Sequence, residues 1–403
     1  MDTMVMRGVG YIYIDEVKNI RSLFLYDEKV IESIVKALGG DIDSILTSIT
    51  KPPAGLYMRV NLLRASREMV IDMIEREGYR AYSDAVLDEA IYIPIEGPYK
   101  VTLRDKVVVA DKRASESVMM GSNLYAPGVI SCGDVRKGDD VTVVSENGII
   151  LANGKALMDC KDAMRIKRGI FVEVLESLYR AAPLRELSVW REGLVYPQSL
   201  PSMVASKLLN PEAHEVIIDM CAAPGGKTGH LIELSKGMAT IYAIDHSASR
   251  IQEMMEHLER LGHMGRAAIL RLDARYLSKD LTHVRPDKII LDPPCSSTGV
   301  RPKIWHKFTW KDLESIVRYQ RQLLEEASRI LKNKGLLVYS TCSITYDENQ
   351  GLVNEMVNRG IFEVVEPPSW VKKIARISSL GTITFDPRDK HPGFFIAILK
   401  KTS

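Results

Sequence analysis

The sequence predicts an α/β protein in which a doubly wound parallel sheet follows a small α+β region and a β-rich barrel. From about residue 178 onwards, strand-like apolar runs alternate with helical runs, which is typical of a parallel sheet with helices on both faces. Before that point, short β runs are separated by recurrent glycines, and the first hundred residues mix helices with two strands. We therefore predict three units, at residues 1–101, 102–176 and 177–403.

In the first unit, residues 27–50 have apolar side chains at helical spacing, interrupted at Gly39–Gly40. The run LYMRVNLL then alternates like a strand, SREMVIDMIEREG predicts a helix that stops at Gly78, and AIYIPI predicts a second strand. In the second unit, Asn147–Gly148 and Asn153–Gly154 predict hairpin turns of a compact barrel.

The third unit has the strongest pattern. A long helix is predicted over 312–332, and two late runs, TITFD and FFIAIL, predict the closing strands. Ligands of such sheets bind at the carboxyl ends of the strands, and each distinctive motif of this chain falls at such an end. The main predicted strands of the sheet cover residues 215–220, 240–245, 287–292 and 336–341.

Composition sets broad limits on function. The chain has 403 residues, of which 46% are hydrophobic, so it can build more than one core. Lys and Arg number 54 against 52 Asp and Glu, a net charge of +2. That balance neither requires nor excludes a nucleic-acid partner, so any affinity for RNA must come from local patches.

The five cysteines are spread through the chain without a C-x-x-C pair. We therefore expect neither a disulfide framework nor a zinc site, and no other metal, but reduced thiols in a cytosolic compartment. Cys132, Cys160 and Cys221 are expected to be buried structural thiols. The first thirty residues lack the pattern of a signal peptide, and no run approaches the length of a membrane span, so a cytoplasmic protein is expected.

A glycine-rich turn follows the first strand of the third unit. Small residues allow a ligand to approach the backbone, and the helix beginning near Lys227 offers free N–H groups. Asp245, twenty residues after Gly225, is placed to bind ribose hydroxyls, and Asp273 to bind a base edge. A phosphate-binding P-loop is excluded because Cys221 stands where that motif requires glycine. The turn consists of Cys221, Ala222, Ala223, Pro224, Gly225, Gly226 and Lys227.

Two cysteines follow two further strands, Cys295 after Asp292–Pro293–Pro294 and Cys342 after Ser340–Thr341. A thiolate that adds to carbon 6 of cytosine makes carbon 5 nucleophilic enough to capture an activated methyl group. Asp292 suits the role of an acid at ring nitrogen 3, which requires a pKa raised by burial. The second thiol can assist product release. The residues alone leave open which cysteine is the nucleophile.

Together, DMCAAPGGKT, the Asp245 strand end, LDPPCSSTG and YSTCS resemble the Sun/Fmu-type RNA (cytosine-5) methyltransferases, the NSUN class. The resemblance covers about 178–403 and implies a class I methyltransferase fold with a final antiparallel strand. It implies that Cys342 is the nucleophile and that Cys295 assists release. It also implies that S-adenosylmethionine is bound by residues 221–227, Asp245, Arg250, Asp273 and Asp292.

The upstream segments carry weaker resemblances. RVNLLR, at 59–64, is similar to the family's N-terminal RNA-binding region, and ADKRASESVMMGSNLYAPGV resembles a PUA domain over about 102–176. This order looks like the branch that methylates a cytosine near the 3′ end of the tRNA acceptor stem, with the PUA domain holding the CCA tail. A monomer that binds RNA and no membrane is expected.

Two sets of cations are candidate RNA contacts. The loop 301–307 combines cations with Trp305, which is typical of phosphate contact and base stacking, and His306 is expected at the surface rather than as a general base. The other set lies in the second unit: Lys112, Arg113, Lys161, Arg165, Lys167 and Arg168.

Other functions remain as alternatives: a ribosomal RNA cytosine-5 methyltransferase, a catalytically idle RNA-binding protein, or an exocyclic-amine methyltransferase. The last would carry an aromatic residue where Cys295 stands. DNA cytosine methyltransferases use the cysteine after the prolines and lack the second one, so the pair favours RNA.

Overall fold

The computed structural model describes residues 11–402. The first ten residues, which begin both the predicted N-terminal unit and the segment expected to lack a signal peptide, lie outside the described residues, as does residue 403. Among the described residues, no helix is long and apolar enough to cross a membrane. No cluster of His, Cys, Asp and Glu side chains within the same residues could hold a metal ion.

The N-terminal region combines three helices with a small sheet. Two of the helices start at an Asp or Ser whose side chain accepts a hydrogen bond from the first turn, as at Asp41 and Ser66. Its elements are β1 (Phe24–Tyr26), α1 (Glu28–Leu38), α2 (Ile42–Thr50), β2 (Gly55–Val60), α3 (Arg67–Arg76), β3 (Tyr82–Ser83) and β4 (Ala90–Pro94).

The next segment forms a six-stranded sheet in the order β6-β10-β9-β8-β5-β7, in which only β5 and β8 pair in parallel. Its elements are β5 (Lys106–Ala110), α4 (Lys112–Val118), β6 (Leu124–Tyr125), β7 (Val129–Ser131), β8 (Asp140–Ser145), β9 (Ile150–Ala156), α5 (Cys160–Ile166) and β10 (Ile170–Ser177). We call this segment the barrel.

The remaining chain begins with α6 (Ser188–Arg191) and β11 (Val195–Pro197). The predicted alternation of strands and helices then follows: α7 (Leu200–Leu209), β12 (Val216–Asp219), α8 (Gly226–Leu234), β13 (Thr240–Asp245), α9 (Ala248–Arg260), β14 (Ala268–Arg271), α10 (Leu277–Asp280), β15 (Lys288–Leu291), β16 (His306–Phe308), α11 (Trp310–Ile330), β17 (Leu336–Thr341), α12 (Leu352–Asn358), β18 (Phe362–Val364), β19 (Arg376–Ile377), β20 (Ile383–Phe385) and β21 (Phe394–Lys401).

The large sheet confirms the predicted doubly wound fold. Its order is β14-β13-β12-β15-β17-β21-β20-β19, with β18 also paired to β21. The strands from β12 to β17 are parallel, and β21 is antiparallel to β17, as the resemblance implied. The order reverses at β12, so the loop after this strand lies at a topological switch point, where ligands bind in sheets of this kind.

The three regions share packing. β11, which follows the barrel, is an edge strand of the N-terminal sheet, in the order β11-β2-β4-β3. β1 pairs in parallel with β16 of the region that contains the large sheet. One hydrophobic core contains Leu46 of α2, Val143 of the barrel, and Ile304 and Leu313 of the region that contains the large sheet. The barrel is therefore packed against the other two regions rather than tethered to them.

The barrel contains a disulfide bond between Cys132 and Cys160. The expectation that all cysteines are reduced is therefore wrong for this pair. The two residues are separated by 28 positions in sequence, but the barrel brings the end of β7 next to the start of α5, where the Cys160 amide donates to the Val135 carbonyl (2.9 Å). Sequence spacing alone does not reveal such a contact. Cys221, Cys295 and Cys342 are free thiols.

Arg59 of β2 is completely buried and joins the N-terminal sheet to the large sheet. Its guanidinium donates to the Glu233 carboxylate of α8 (2.7 Å), to the Gly226 carbonyl (2.6 Å) and to Gln198. Asn61 is also buried and donates to the Leu261 carbonyl (2.9 Å). Arg59 and Asn61 are therefore not available for the predicted RNA contact of the 59–64 segment. Their side chains instead join the N-terminal region to the region that contains the large sheet.

We predict that Arg59→Met lowers the free energy of unfolding by about 3 to 5 kcal/mol, because it leaves the Glu233 carboxylate buried without its cationic partner. Urea unfolding measures the change. Arg64→Met, at an exposed position of the same motif, is the control and should change stability by about 0.5 kcal/mol or less. Equal stability of both variants would contradict the argument.

Candidate active site

The turn after β12 carries the predicted cofactor residues at the switch point. Its backbone folds back on itself, with the Gly225 amide donating to the Ala222 carbonyl (2.8 Å). Gly225 has φ +98°, and a Cβ there would lie 2.8 Å from the Met254 side chain, so only glycine fits without strain. The turn then enters α8, whose N-terminal amides point away from the helix.

Asp245, at the end of β13, lies against this turn. Its carboxylate, of which 2% is exposed, accepts hydrogen bonds from the amides of Ala223 (3.3 Å) and Ser247 (2.9 Å). Arg250 contacts the same carboxylate (3.3 Å) and donates to the Ala223 carbonyl. The structure thus brings together the turn, Asp245 and Arg250.

Asp273 is placed differently. It follows β14, as predicted, but its carboxylate forms a bidentate ion pair with Arg275 (2.6 and 3.0 Å). This guanidinium lowers the pKa of Asp273. Its chain neighbours Leu272 and Ala274 line a pocket that Asp245 and Arg250 also line, so Asp273 lies at the edge of the predicted cofactor residues.

A cavity of about 290 Å³ opens beside the turn. A second, narrower pocket begins on the other side of Cys221 and is lined by Asp245, Arg250 and Tyr319 among others. The first cavity is lined by Tyr196, Pro197, Gln198, Ser199, Ser202, Cys221, Ala222, Ala223, Pro224, Gly226, Lys227, Asp292 and Phe394. The aromatic residues that line this first cavity, and its lining residues from β11 and α7, form no distinctive pattern in the sequence. Sequence analysis therefore did not identify them.

Lys227 and Asp292 form an ion pair in this cavity, with 2.5 Å between Nζ and Oδ2. Lys227 also donates to the Ser202 hydroxyl (3.0 Å), and Asp292 accepts from the Ser340 hydroxyl (3.1 Å). The structure places Asp292 in this ion pair with 31% of its side chain exposed, whereas a buried side chain was expected from the sequence.

The two cysteines come together as the strand ends predict. Their sulfurs are 3.3 Å apart, although 47 residues separate them in sequence. Ser297 contacts both, with its hydroxyl 3.5 Å from the Cys342 sulfur and 4.0 Å from that of Cys295. The cysteines do not line the cavity itself, but its charged residues, Asp292 and Lys227, both influence the pKa of Cys342.

The hydrogen bond between the thiols shifts their pKa values in opposite directions. It lowers the pKa of Cys342, where the Ser297 hydroxyl and Lys227 act in the same direction while burial and Asp292 oppose them. The same bond, together with burial, raises the pKa of Cys295 well above its usual value. These opposite shifts favour ionisation of Cys342 over ionisation of Cys295.

The carboxylate of Glu348 ties the two cysteine loops together. It is completely buried and lies in a π-helical turn, Asp347–Gly351. One oxygen accepts from the Ser296 amide (2.9 Å), next to Cys295, and the other from the Ser343 hydroxyl (2.6 Å), next to Cys342. Gln320 and Thr345 complete its hydrogen bonds. Sequence reasoning missed this residue, because nothing in its local pattern distinguishes it from a surface helix residue.

Gly299 allows close packing of the loops that carry Cys295 and Cys342 against the start of β21. Its amide donates to the Cys342 carbonyl (3.0 Å), and its own carbonyl accepts from the Gly393 amide (2.8 Å). A Cβ at Gly299 would lie 2.3 Å from the Gly393 carbonyl oxygen. Three chain segments therefore meet with no room for a side chain.

The loop 301–307 faces the protein interior. Arg301 donates to backbone carbonyls, including those of Lys51 (3.0 Å) and Pro387 (2.7 Å), and Lys303 is buried. Burial lowers the pKa of His306 to about 3, and its Nδ1 is hydrogen-bonded to the Tyr26 hydroxyl (2.9 Å). The predicted RNA contact is wrong for these three residues, whereas Lys307 is exposed.

Most of the predicted barrel cations are accessible. Lys112 lies beside Trp305, with its ammonium 5.5 Å from the ring centre. The exposed cations are Arg113, Lys161, Arg165, Lys167 and Arg168. The last four lie in α5 or directly after it.

The chain is similar to known RNA-modifying proteins. A family model described as 16S rRNA methyltransferase RsmB/F matches residues 206–400, and a PUA-domain model matches residues 106–178. The tRNA (cytosine(72)-C(5))-methyltransferase of Pyrococcus horikoshii is 38% identical, over 90% of this chain and 93% of that protein. The tRNA (cytosine(72)-C(5))-methyltransferase NSUN6 of Mus musculus is 30% identical, over 83% of this chain and 78% of its own.

A solved structure agrees with this match. The crystal structure of NSun6 from Pyrococcus horikoshii with SFG has a TM-score of 0.85 to this chain at 37% sequence identity. The match covers 94% of this chain and 99% of that one, so it includes the N-terminal region and the barrel.

We predict that Glu348→Gln separates the thiols, because an amide cannot accept all the hydrogen bonds that the carboxylate accepts. Stability should fall by about 1 to 3 kcal/mol. Phenylarsine oxide, which bridges two adjacent thiols, should react more slowly with the variant. Glu355→Gln, which weakens a partly buried ion pair between α12 and Arg321 away from the thiols, is the control. Unchanged bridging by Glu348→Gln would contradict the assigned role.

Proposed function

The chain belongs to the RsmB/F family of S-adenosylmethionine-dependent RNA (cytosine-5) methyltransferases, and from this we propose that it methylates a cytosine near the 3′ end of the tRNA acceptor stem. The observation that carries the chemistry is the 3.3 Å contact between Cys295 and Cys342 beside the Lys227–Asp292 pair. The assignment of each residue below is part of the proposal.

The residues of the turn fit the cofactor. A glycine pair leaves room for a ligand against the backbone, and the buried Asp245 carboxylate at the next strand end suits ribose hydroxyls. Residues 221–227, Asp245 and Arg250 would hold S-adenosylmethionine, which supplies an activated methyl group. Asp273, whose carboxylate is paired with Arg275, keeps a free lone pair with which it could accept a hydrogen bond from a base edge.

The thiolate of Cys342 attacks carbon 6 of the cytosine, forming a sulfur–carbon bond and leaving carbon 5 electron-rich. Carbon 5 then takes the methyl group. Water accepts the carbon 5 proton, the electrons of that bond form the double bond between carbons 5 and 6 again, and the Cys342 sulfur leaves as a thiolate. Cys295 lies within reach of that sulfur and can donate its proton to it, which assists release.

The polar edge of the base needs a donor and an acceptor. The Asp292 carboxylate accepts from the exocyclic amino group, and the Lys227 ammonium donates to ring nitrogen 3. Both are present in the cavity as a pair. A paired base cannot present carbon 6 to a thiol, so the target cytosine must be unpaired or flipped out.

The choice of tRNA rests on the whole chain. The RsmB/F model spans residues 206–400 only, whereas relatives named for cytosine 72 of tRNA also match the barrel and the N-terminal region. The exposed cations around α5 supply positive charge for the acceptor stem and CCA end. We further propose a monomer that acts in the cytoplasm, where tRNA is abundant.

We predict that the protein forms a covalent adduct with tRNA carrying 5-fluorocytosine, because fluorine at carbon 5 blocks release. The adduct is seen on a denaturing gel with S-adenosylmethionine present. Cys342→Ala should abolish it, and Cys295→Ala should accumulate adduct on unmodified tRNA. An adduct that persists in Cys342→Ala, or that forms on ribosomal RNA fragments and not on tRNA, would contradict the proposal.

We also predict that charge reversal at Lys161, Arg165 and Arg168 weakens tRNA binding, with a salt slope reduced by about one for each lost phosphate contact. Filter binding at several salt concentrations measures it, and cofactor affinity should stay the same. Arg285→Glu, an exposed cation at the amino-terminal edge of the large sheet, is the control. Equal loss in the control would exclude a specific role for the α5 surface.

A further inference from the structure

Lys303 is a buried lysine close to the two thiols. Only 5% of the residue is exposed, and its ammonium donates to the Ser297 carbonyl (2.7 Å). Its own amide donates to the Ile49 carbonyl of α2 (2.9 Å), so the backbone is anchored from the N-terminal region. Burying an ammonium group that has one hydrogen-bond acceptor in the protein destabilises the fold, unless its charge stabilises a neighbouring group.

The partner of Lys303 holds an unfavourable backbone conformation. Ser297 has φ +53°, a left-handed backbone conformation that residues other than glycine rarely adopt. In this conformation the Ser297 hydroxyl contacts the sulfurs of Cys342 (3.5 Å) and Cys295 (4.0 Å). The Lys303 ammonium therefore holds the residue whose hydroxyl contacts both sulfurs.

The charge of Lys303 also reaches the thiols. Burial lowers the pKa of Lys303 to about 8, and the two cysteines are among the groups that act in the opposite direction. The ammonium is therefore protonated at neutral pH and loses its charge only above about pH 8. A positive charge in a buried site favours a neighbouring thiolate.

We propose that Lys303 is a positioning residue of the reaction, which holds Ser297 against the thiols and supplies the positive charge that keeps Cys342 ionised. The inference rests on the proposed function, because it concerns the same nucleophile. Lys303 touches neither the base nor the cofactor site, so it acts through Ser297.

The charged groups around this unit come from several elements. Lys303 faces Glu116 and Lys112 of α4 in the barrel, and the thiols on its other side. Cys342 faces Cys295, Asp292 and Lys227. Cys295 additionally faces the Glu348 carboxylate. Among these groups, Lys303 alone contacts the Ser297 carbonyl.

The test is the pH profile of adduct formation with 5-fluorocytosine tRNA under single-turnover conditions with saturating cofactor and RNA. For Lys303→Met, the pH of half-maximal rate should rise by about one unit, which makes the reaction about tenfold slower at neutral pH. The difference from wild type should disappear above about pH 8, where Lys303 itself is neutral. A purely structural defect would lower the rate at every pH.

Lys311→Met is the matched control, because Lys311 lies in the helix that directly follows the same loop but is exposed, and its profile should match wild type. Lys303→Gln keeps a donor for Ser297 without the charge and should shift the profile in the same direction, and it decides the test if Lys303→Met does not fold. A folded Lys303 variant with the wild-type profile overturns the inference. Failure of the wild type to form any adduct would instead overturn the proposed function.

Discussion

One buried carboxylate determines the geometry on which the chemistry depends. Glu348 accepts hydrogen bonds from the residues that follow Cys295 and Cys342, and so holds two separate strand ends in register. A buried carboxylate is stable only if its oxygens are fully hydrogen-bonded, and Gln320 and Thr345 meet that requirement. The π-helical turn that carries Glu348 places the carboxylate between the loops, in keeping with the frequent use of such turns at functional sites.

Around this carboxylate, the other regions of the chain act as supports of the site. Arg59 of the N-terminal sheet holds the Gly226 carbonyl at the start of α8, and α2 anchors the backbone of Lys303. From the barrel, Asn147 donates to the Ile304 carbonyl (3.3 Å). The barrel, which matches the PUA-domain model, is thus in direct contact with the loop that follows Cys295.

The errors in the sequence analysis have a common cause. The sequence predicts that charged residues next to a motif are exposed to solvent. Arg301 and Lys303 instead donate hydrogen bonds to backbone carbonyls within the protein. Asp292 was expected to be buried, yet a lysine from the cofactor turn pairs with it in an open cavity. In each case the residue type was identified correctly, and the mistake lay in its environment, which depends on segments far away in the sequence.

The sequence by itself determined the doubly wound sheet, the glycine turn at the end of β12, and the two cysteines at the ends of neighbouring strands. These features follow from local periodicity and from the rule that parallel strands end at one edge. Only the tertiary structure decided that the sulfurs of Cys342 and Cys295 are in contact, that Asp273 is held by Arg275, that Cys132 is bonded to Cys160, that Glu348 bridges the two cysteine loops, and that Lys303 contacts Ser297. The physical reason is that burial, pairing and hydrogen bonding are properties of groups brought together by folding, and no local pattern along the chain records them.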